Sequence, residues 1–242
     1  KRRDQVVLAT KFGGQMDKDG LLKGGGKAYV NKAVEASLRR LNTDRIDLLQ
    51  LHRPDPLTPI EETLEALTGL ISQGKVRYIG SSNFAAWQVV EAQFLARELG
   101  TARFIVTQEG YSLLNRKVEA EVIPAARKYG VGLLPYFPLE SGLLSGKYQA
   151  GQPAPEGTRL AKSKPLADMF LTADKLARAE RLDQIAKAAG LGLIDLAFGW
   201  LLRDPVVPSV IAGASNFAQI AQNARAAGTA LTKDTVEAVE ST

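Results

Sequence analysis

The sequence predicts an α/β fold in which helices alternate with the strands of a parallel sheet. Short runs rich in β-branched residues are separated by longer amphipathic segments, which is the pattern of successive βα units. The chain has 242 residues, 45% hydrophobic and 24% charged, enough for the core of one large α/β domain or of two small ones. Six segments are predicted as strands: residues 6–11, 46–52, 76–81, 104–108, 132–137 and 208–212.

The helices are predicted from capping residues and apolar stripes. Thr58, Pro59 and Glu61 predict the start of a helix that Gly74 ends, and Asn83 is predicted to cap the helix that follows the third strand. Further helices are predicted over residues 30–41, 175–189 and 193–203 and from residue 217 onwards. Residues 145–172 are rich in glycine and proline and lack periodicity, so a long loop is expected there.

Composition excludes several classes of protein. The chain has no cysteine and a single histidine, His52, which excludes disulfides, a thiol nucleophile and a multi-histidine metal site. No apolar run approaches the roughly 20 residues of a membrane helix, and no signal segment is recognised at the start, so a cytoplasmic location is expected. The net charge of +5 is spread along the chain beside acidic residues, so no nucleic-acid partner is expected.

Polar residues stand where the predicted strands end. In parallel βα architectures function collects at these positions. Lys11 and His52 each allow a structural interpretation, a salt bridge for the lysine and a satisfied, half-buried imidazole for the histidine. Strands that all end in hydrogen-bonding groups favour a functional site instead. These groups are Lys11, His52, Ser82, Asn83, Gln108, Tyr136, Gly213 and Ser215.

Two apparent phosphate motifs are rejected. Residues 20–27 resemble a P-loop, but position 21 is Leu and Ala28 stands where Ser or Thr is required. Gly190 and Gly192 begin a G-x-G that is followed by Asp195 and lies between helices. A bound nucleotide would therefore use the loops after the last two predicted strands, where backbone amides at a helix start favour a phosphate.

Several segments, taken in this order and spacing, resemble the aldo-keto reductase family. One reads Val-Leu-Ala-Thr-Lys-Phe-Gly at 7–13, and another reads Gly-Lys-Val-Arg-Tyr-Ile-Gly-Ser-Ser-Asn-Phe at 74–84. The other segments that carry the likeness are residues 37–52, 108–116, 138–148 and 211–223. The likeness covers nearly the whole chain and is nearer to the bacterial reductases and the potassium-channel β subunits than to the mammalian aldose reductase branch.

The resemblance implies a (β/α)8 TIM barrel that binds NADPH and reduces aldehydes or ketones to alcohols by hydride transfer from the nicotinamide. Residues 1–242 are interpreted as a single, N-terminally incomplete barrel domain with about six of the eight βα units. Lys11 matches the family lysine that lowers the pKa of a proton-donating tyrosine, and His52 matches the histidine that orients the carbonyl. The family stretch with the catalytic Asp and Tyr has no counterpart here, so the chain alone is expected to be inactive.

The resemblance also implies the cofactor contacts. Ser82, Asn83 and Gln108 match the groups that bind the carboxamide, and Tyr136 matches the aromatic that stacks on the nicotinamide. The residues that match the pyrophosphate loop are Pro138, Leu139, Gly142 and Lys147, with Arg159 placed to close over it. The residues that match the adenosine end are Gly213, Ser215, Gln219 and Asn223. No metal is expected, and the expected partner is a small carbonyl compound.

Two other functions remain open. A regulatory subunit similar to the potassium-channel β subunits would bind NADPH with little turnover. A Schiff-base aldolase could also use Lys11, because a strand-end lysine serves that chemistry on a barrel. Slow turnover together with a stoichiometric partner would favour the regulatory subunit, and borohydride trapping with a carbonyl compound would reveal the aldolase.

Overall fold

The computed structural model describes residues 2–149 and 151–242. Over these residues the chain forms five strands and ten α-helices. The strands are β1 (Ala9–Phe12), β2 (Ile46–Leu51), β3 (Val76–Ser82), β4 (Phe104–Gly110) and β5 (Gly132–Tyr136). The helices are α1 (Lys27–Leu41), α2 (Ile60–Ser72), α3 (Ala86–Leu99), α4 (Val122–Tyr129), α5 (Arg159–Lys162), α6 (Lys164–Phe170), α7 (Ala173–Ala188), α8 (Leu193–Leu202), α9 (Phe217–Ala226) and α10 (Lys233–Glu240).

The strands form one sheet in the order β1-β2-β3-β4-β5, and the pairs from β1 to β4 are parallel. This confirms the predicted α/β class, with helices between successive strands as parallel pairing requires. The closed barrel implied by the resemblance is not confirmed, since β1 and β5 are the outer strands of this order.

The prediction of a sixth strand over residues 208–212 is wrong. Within residues 208–212, Ile211 alone forms a single parallel bridge, to Tyr136, and its N–H donates to the Pro135 carbonyl at 2.8 Å. Pro208 has no N–H for a ladder, and the remaining residues of the segment are exposed or half-buried. The backbone therefore runs beside the sheet for one residue without continuing it.

The chain divides into two compact units, the first formed by residues 1–109 and 119–133 and the second by residues 110–118 and 134–242. In the first unit every residue of β2 is buried, including the polar Asp47 and Gln50, and Asp47 is paired there with Arg3 and Arg77. Helix α2 was predicted to bury a stripe of Ile60, Leu64, Leu67 and Ile71. Leu64 and Leu67 are buried as predicted, Ile60 and Ile71 are half-buried, and Leu70 completes the buried face. The prediction of a single barrel domain stays a prediction.

Two predicted helix caps are wrong. The cap of α2 is Pro59 without a side-chain hydrogen bond, because the Thr58 hydroxyl donates to Asp55 at 2.7 Å instead. Helix α3 begins at Ala86 rather than after Asn83, which adopts a left-handed conformation with φ of 59°. The Thr58 side chain bonds within its own loop, and the Asn83 side chain bonds to Ser82 and to the His52 backbone carbonyl, so neither caps the first turn of its helix.

The second unit is built around α8, whose side chains are buried over most of its length, including the fully buried Trp200. The Trp200 indole N–H donates to the Glu240 carboxylate at 3.1 Å, and the Arg203 guanidinium contacts the same oxygen at 2.7 Å. The loop predicted over residues 145–172 contains the short helices α5 and α6, which its glycines and prolines conceal in the sequence.

In the part of the chain that the structure describes, no single helix has both the length and the apolar composition needed to cross a membrane. Helices α7 and α8 pass that test only when taken together, and they are bent by 91° at the break between them.

Candidate active site

The first unit brings together five of the predicted site residues at the carboxyl edge of its sheet. Lys11 lies inside β1 rather than after it, and Gln108 lies inside β4. His52 follows β2 directly, and Ser82 is the last residue of β3. Lys11 is in register with Gln50, the second residue before His52, and Ser82 is in register with Gln108.

Gly80 is required for that register. A Cβ atom at Gly80 would lie 2.7 Å from a methyl carbon of Val106 and 2.9 Å from its carbonyl oxygen, so β3 and β4 approach too closely for any side chain there. The pairing shifts between Ile79 and Gly80. The shift places Ser82 opposite Gln108 at the end of the two strands.

Lys11 and His52 interact electrostatically. Partial burial lowers the pKa of the Lys11 ammonium, which forms no ion pair with a carboxylate among the described residues. Burial, and then the positive charges of Lys11 and Arg53, lower the pKa of the His52 imidazole. The salt bridge considered for Lys11 is therefore not what the structure shows. An imidazole with a pKa below its ordinary value of 6.5 is neutral at pH 7 and can donate one hydrogen bond.

Ser82, Asn83 and Gln108 form one hydrogen-bonded cluster. The Ser82 hydroxyl donates to the Gln108 carbonyl oxygen at 2.9 Å and accepts from the Asn83 side-chain amide at 3.0 Å. The same Asn83 amide donates to the His52 carbonyl oxygen at 3.0 Å, and so joins the ends of β2 and β3. The cluster is thus attached to the backbone of His52 and leaves the imidazole ring uninvolved.

The Gln108 side chain has an unsatisfied acceptor. Its Oε1 atom is buried and has no hydrogen-bond partner. An unpaired buried acceptor costs about 1–3 kcal/mol, and such atoms in native structures call for an explanation. A ligand amide N–H would satisfy it. The Gln108 side chain is therefore suited to bind a primary carboxamide.

Glu109 is a residue of this site that the sequence analysis missed. Its carboxylate is buried and accepts hydrogen bonds from the Phe84 backbone N–H at 3.0 Å and the Thr107 hydroxyl at 2.8 Å. Burial raises the pKa of the Glu109 carboxyl to about 7, although these hydrogen bonds oppose the shift. The sequence signal for Glu109 was its position directly after Gln108. Consecutive residues of a buried strand point to opposite faces, so a charged residue there is placed behind the site.

In the second unit the segment after β5 has an unusual backbone. Phe137, Glu140 and Ser141 adopt positive φ angles of 53°, 47° and 56°, and Gly142 adopts 97°. Left-handed conformations are uncommon for residues other than glycine, and they cluster at ligand-binding sites. Pro138 and Leu139, predicted to contact the pyrophosphate, lie within this segment.

Lys147 packs against Gly142 in the same segment. A Cβ atom at Gly142 would lie 2.9 Å from the Lys147 ammonium, and the Ser145 hydroxyl donates to the Gly142 carbonyl oxygen at 2.7 Å. The Ser141 hydroxyl oxygen is buried and has no partner. A cation and an unpaired hydroxyl in one turn provide groups that an anion can bind.

Glu140 anchors this segment, and the sequence analysis missed it as well. Its carboxylate accepts from the Ser112 hydroxyl at 2.7 Å and pairs with the Lys175 ammonium at 2.6 Å. Lys175 also lies 4.8 Å from the ring centroid of Phe170. No sequence signal was available, because the partners are 28 and 35 residues away along the chain.

The aromatic residues at the end of β5 form a row. Tyr136, the predicted stacking residue, packs edge-to-face on Phe137, which packs in the same way on Phe170. The Arg159 guanidinium lies 5.6 Å from the Phe137 ring centroid. Arg159 is therefore placed over the segment that it was predicted to close.

The predicted adenosine residues lie around the start of α9. Asn216 caps the helix by accepting from the Gln219 N–H at 2.9 Å. The Gln219 side-chain oxygen accepts from the backbone N–H and the hydroxyl of Ser215, at 2.7 and 3.0 Å. Gly213 precedes this turn, and the half-buried Asn223 follows one turn later on α9. Gly213 and Ser215 do not follow a strand, because the sixth predicted strand is absent from the described residues.

The chain is similar to known proteins over nearly its whole length. The family model described as the aldo/keto reductase family matches residues 1–242. The chain is 39% identical over 245 residues to a probable voltage-gated potassium channel subunit beta of Oryza sativa subsp. japonica, an alignment that covers 99% of this chain and 74% of that relative. It is 36% identical to the uncharacterized oxidoreductase YrpG of Bacillus subtilis, over 99% of this chain and 69% of that relative. It is also 32% identical to the L-glyceraldehyde 3-phosphate reductase of Escherichia coli K12, over 93% and 65%.

Proposed function

The chain belongs to the aldo/keto reductase family, and from this we propose that it acts in an NADPH-dependent carbonyl reductase. The unsatisfied, buried Gln108 Oε1 beside the Ser82 and Asn83 cluster carries the proposal. It supports carboxamide binding at the strand ends that also hold Lys11 and His52. Bound NADPH would supply the hydride, and the substrate would be an aldehyde or a ketone.

The catalytic roles proposed for Lys11 and His52 follow from their charge states. A lysine without a carboxylate partner keeps its positive charge available to lower the pKa of a neighbouring proton donor. The resemblance implies that this donor is a tyrosine of a family stretch that has no counterpart in these 242 residues. The neutral His52 imidazole would donate a hydrogen bond to the carbonyl oxygen and so orient the substrate. In this proposal His52 orients the carbonyl group, and Lys11 promotes proton transfer from the donor.

The residues of the first unit fit the nicotinamide end of the cofactor. The free Gln108 Oε1 would accept from the carboxamide NH2 group. The Asn83 side-chain amide is held by two acceptors, so its orientation is defined before the cofactor arrives. We call Ser82, Asn83 and Gln108 the carboxamide clamp. This clamp would determine which face of the nicotinamide ring is presented to the substrate.

The residues of the second unit fit the rest of the cofactor. We propose that Tyr136 stacks on the nicotinamide and that the segment with Gly142 and Lys147 binds the pyrophosphate. The Lys147 cation at the strained turn and the Arg159 guanidinium above Phe137 support this assignment. The turn from Gly213 to Gln219 and Asn223 would bind the adenosine. The net charge of +5 is compatible with an anionic nucleotide.

A second function is supported by one observation, the 39% identity to proteins named probable voltage-gated potassium channel subunit beta in Oryza sativa subsp. japonica and in Arabidopsis thaliana. We propose as the alternative an NADPH-binding regulatory subunit with little turnover. The retained His52 favours the reductase. A cytoplasmic location is proposed for either function.

The experiment that tests the proposal is a cofactor titration followed by a substrate screen, carried out on the whole protein as its gene encodes it. NADPH fluorescence is expected to change on stoichiometric binding. Repeated oxidation of NADPH is expected with at least one compound from a panel of aldehydes and ketones. A single slow turnover with every compound would favour the regulatory subunit, and a protein that binds no NADPH would contradict both functions.

A further inference from the structure

The turn between β3 and α3 adopts a conformation that needs external support. Asn83 has a φ of 59°, in the left-handed region that non-glycine residues adopt at a cost. Such residues persist where surrounding contacts determine the backbone. The Asn83 N–H donates to the Gln108 carbonyl oxygen at 3.1 Å, and its side chain bonds to His52 and Ser82. The conformation of this turn therefore decides where the carboxamide clamp lies.

The Glu109 carboxylate supports the turn from the opposite face of β4. Gln108 and Glu109 are consecutive strand residues, so their side chains point to opposite faces. Thr107 lies on the same face as Glu109, as its 2.8 Å hydrogen bond to the carboxylate shows. The Glu109 Oε1 atom also accepts from the N–H of Phe84, the residue directly after Asn83, at 3.0 Å. One strand thus supplies an unpaired acceptor on one face and an anchor for the turn on the other.

We propose that Glu109 is a positioning residue that fixes the Asn83–Phe84 turn in the geometry that binds the cofactor carboxamide. This inference rests on the proposed function and deepens it. A buried carboxylate requires hydrogen bonds, and backbone N–H groups that bond to a charged acceptor are held more strongly than by a neutral one. Without Glu109 the buried Phe84 N–H loses its acceptor, and the left-handed residue before it loses a restraint.

The groups that face the Glu109 carboxyl are neutral. They are the Thr107 hydroxyl of β4 and the backbone N–H groups of Asn83 and Phe84 from the turn, and among the residues that the structure describes no charged group shifts its pKa. The Phe84 ring packs edge-to-face on Phe104, with 5.9 Å between ring centroids, and holds the turn independently of charge. The strength of the anchor is therefore expected to follow the ionisation of Glu109 itself.

The test compares NADPH affinity of the whole wild-type protein with that of Glu109→Gln and Glu109→Ala, from pH 6 to pH 8.5. Glu91→Gln, the same change at an exposed position of α3, is the matched control. At pH 8 the dissociation constant of Glu109→Gln is expected to be about tenfold weaker than that of the wild type, since a hydrogen bond to a charged group is replaced by a neutral one. That ratio is expected to approach one at pH 6, where the wild-type carboxyl is protonated, and Glu109→Ala is expected to be weaker than Glu109→Gln at every pH.

Hydrogen exchange of the turn in the absence of cofactor is the second readout. Faster exchange of the Phe84 amide is expected in Glu109→Gln at pH 8, while Glu91→Gln remains like the wild type. If the wild type binds NADPH and Glu109→Gln binds it with the same affinity at every pH, this inference is overturned but the proposed function is not. A wild type that binds no NADPH would overturn the proposed function together with this inference, even if exchange of the turn still responds to Glu109.

Discussion

The Lys175 ammonium lies 2.6 Å from the Glu140 carboxylate, whose side chain is 3% exposed, at the segment predicted to bind the pyrophosphate. The pair joins the first turn of α7 to a residue with a φ of 47°. A buried ion pair contributes little by itself, but removing one partner leaves an uncompensated charge. The pair is therefore expected to hold the strained segment in one conformation.

Replacing Lys175 with Met tests that role. The Glu140 carboxylate would keep the Ser112 hydroxyl as its donor and lose its counter-ion, so the free energy of unfolding is expected to fall by about 3 kcal/mol. Urea denaturation measures the change. The control is Lys164→Met, which removes an exposed pair with Asp168 and is expected to cost under about 0.5 kcal/mol. Equal stability of the two variants would show that the buried pair has no anchoring role.

Replacing Lys11 with Met is expected to stop carbonyl reduction and to leave NADPH binding nearly unchanged. The carboxamide clamp makes no hydrogen bond to Lys11, so cofactor binding is not expected to depend on this lysine. The proton donor, in contrast, would lose the positive charge that lowers its pKa. Turnover in the whole protein is expected to fall at least about 100-fold, the scale of general acid catalysis. The NADPH dissociation constant is expected to stay within about twofold of the wild type. Lys32→Met, at an exposed position of α1, is the control, and unchanged turnover in Lys11→Met would remove Lys11 from the mechanism.

Replacing His52 with Ala separates catalysis from folding. Asn83 bonds to the His52 backbone carbonyl, which the substitution keeps, so NADPH binding is expected to change little. Carbonyl reduction is expected to fall about 100-fold, because the donor that orients the substrate is lost. Steady-state kinetics and a fluorescence titration on the same preparation measure both effects. Equal losses of binding and turnover would instead indicate a structural role for the imidazole.

The sequence predicted the elements whose signals are local. Strand β2 lies where it was predicted, and Leu64 and Leu67 of the predicted α2 stripe are buried, because burial follows directly from periodicity. The site residues at 82, 83 and 108 were identified by resemblance, and the hydrogen bonds that join them follow from the register of β3 and β4.

The features that the sequence did not predict depend on contacts between distant segments. Asn83 fits a helix cap by residue type, but its side chain bonds to His52, which is 31 residues away. Glu140 and Lys175 each resemble an ordinary surface charge until the fold brings them together. Ile211 lies in a strand-like run, but it forms an isolated bridge to Tyr136 rather than part of a ladder. In each case tertiary contacts decide between local alternatives of similar energy.

The ionisation of Glu109 predicts a pH dependence of stability. Its pKa is about 7 in the folded chain and about 4.5 in the unfolded chain, so the folded state binds the proton more tightly. Its contribution to the free energy of unfolding is therefore fully present below pH 4.5 and is lost as the pH rises through 7. The expected loss is about 3 kcal/mol, at about 1.4 kcal/mol per pH unit over this range.

The measurement is urea denaturation of the wild type and of Glu109→Gln at pH 5 and pH 8. The side chain of the variant does not titrate, so the stability difference between the two proteins is expected to shift by about 2–3 kcal/mol in favour of Glu109→Gln on going from pH 5 to pH 8. Glu91→Gln, an exposed position, is expected to show no such shift. A difference between wild type and Glu109→Gln that stays constant with pH would mean that the carboxyl of Glu109 keeps an ordinary pKa, because its hydrogen bonds compensate for its burial.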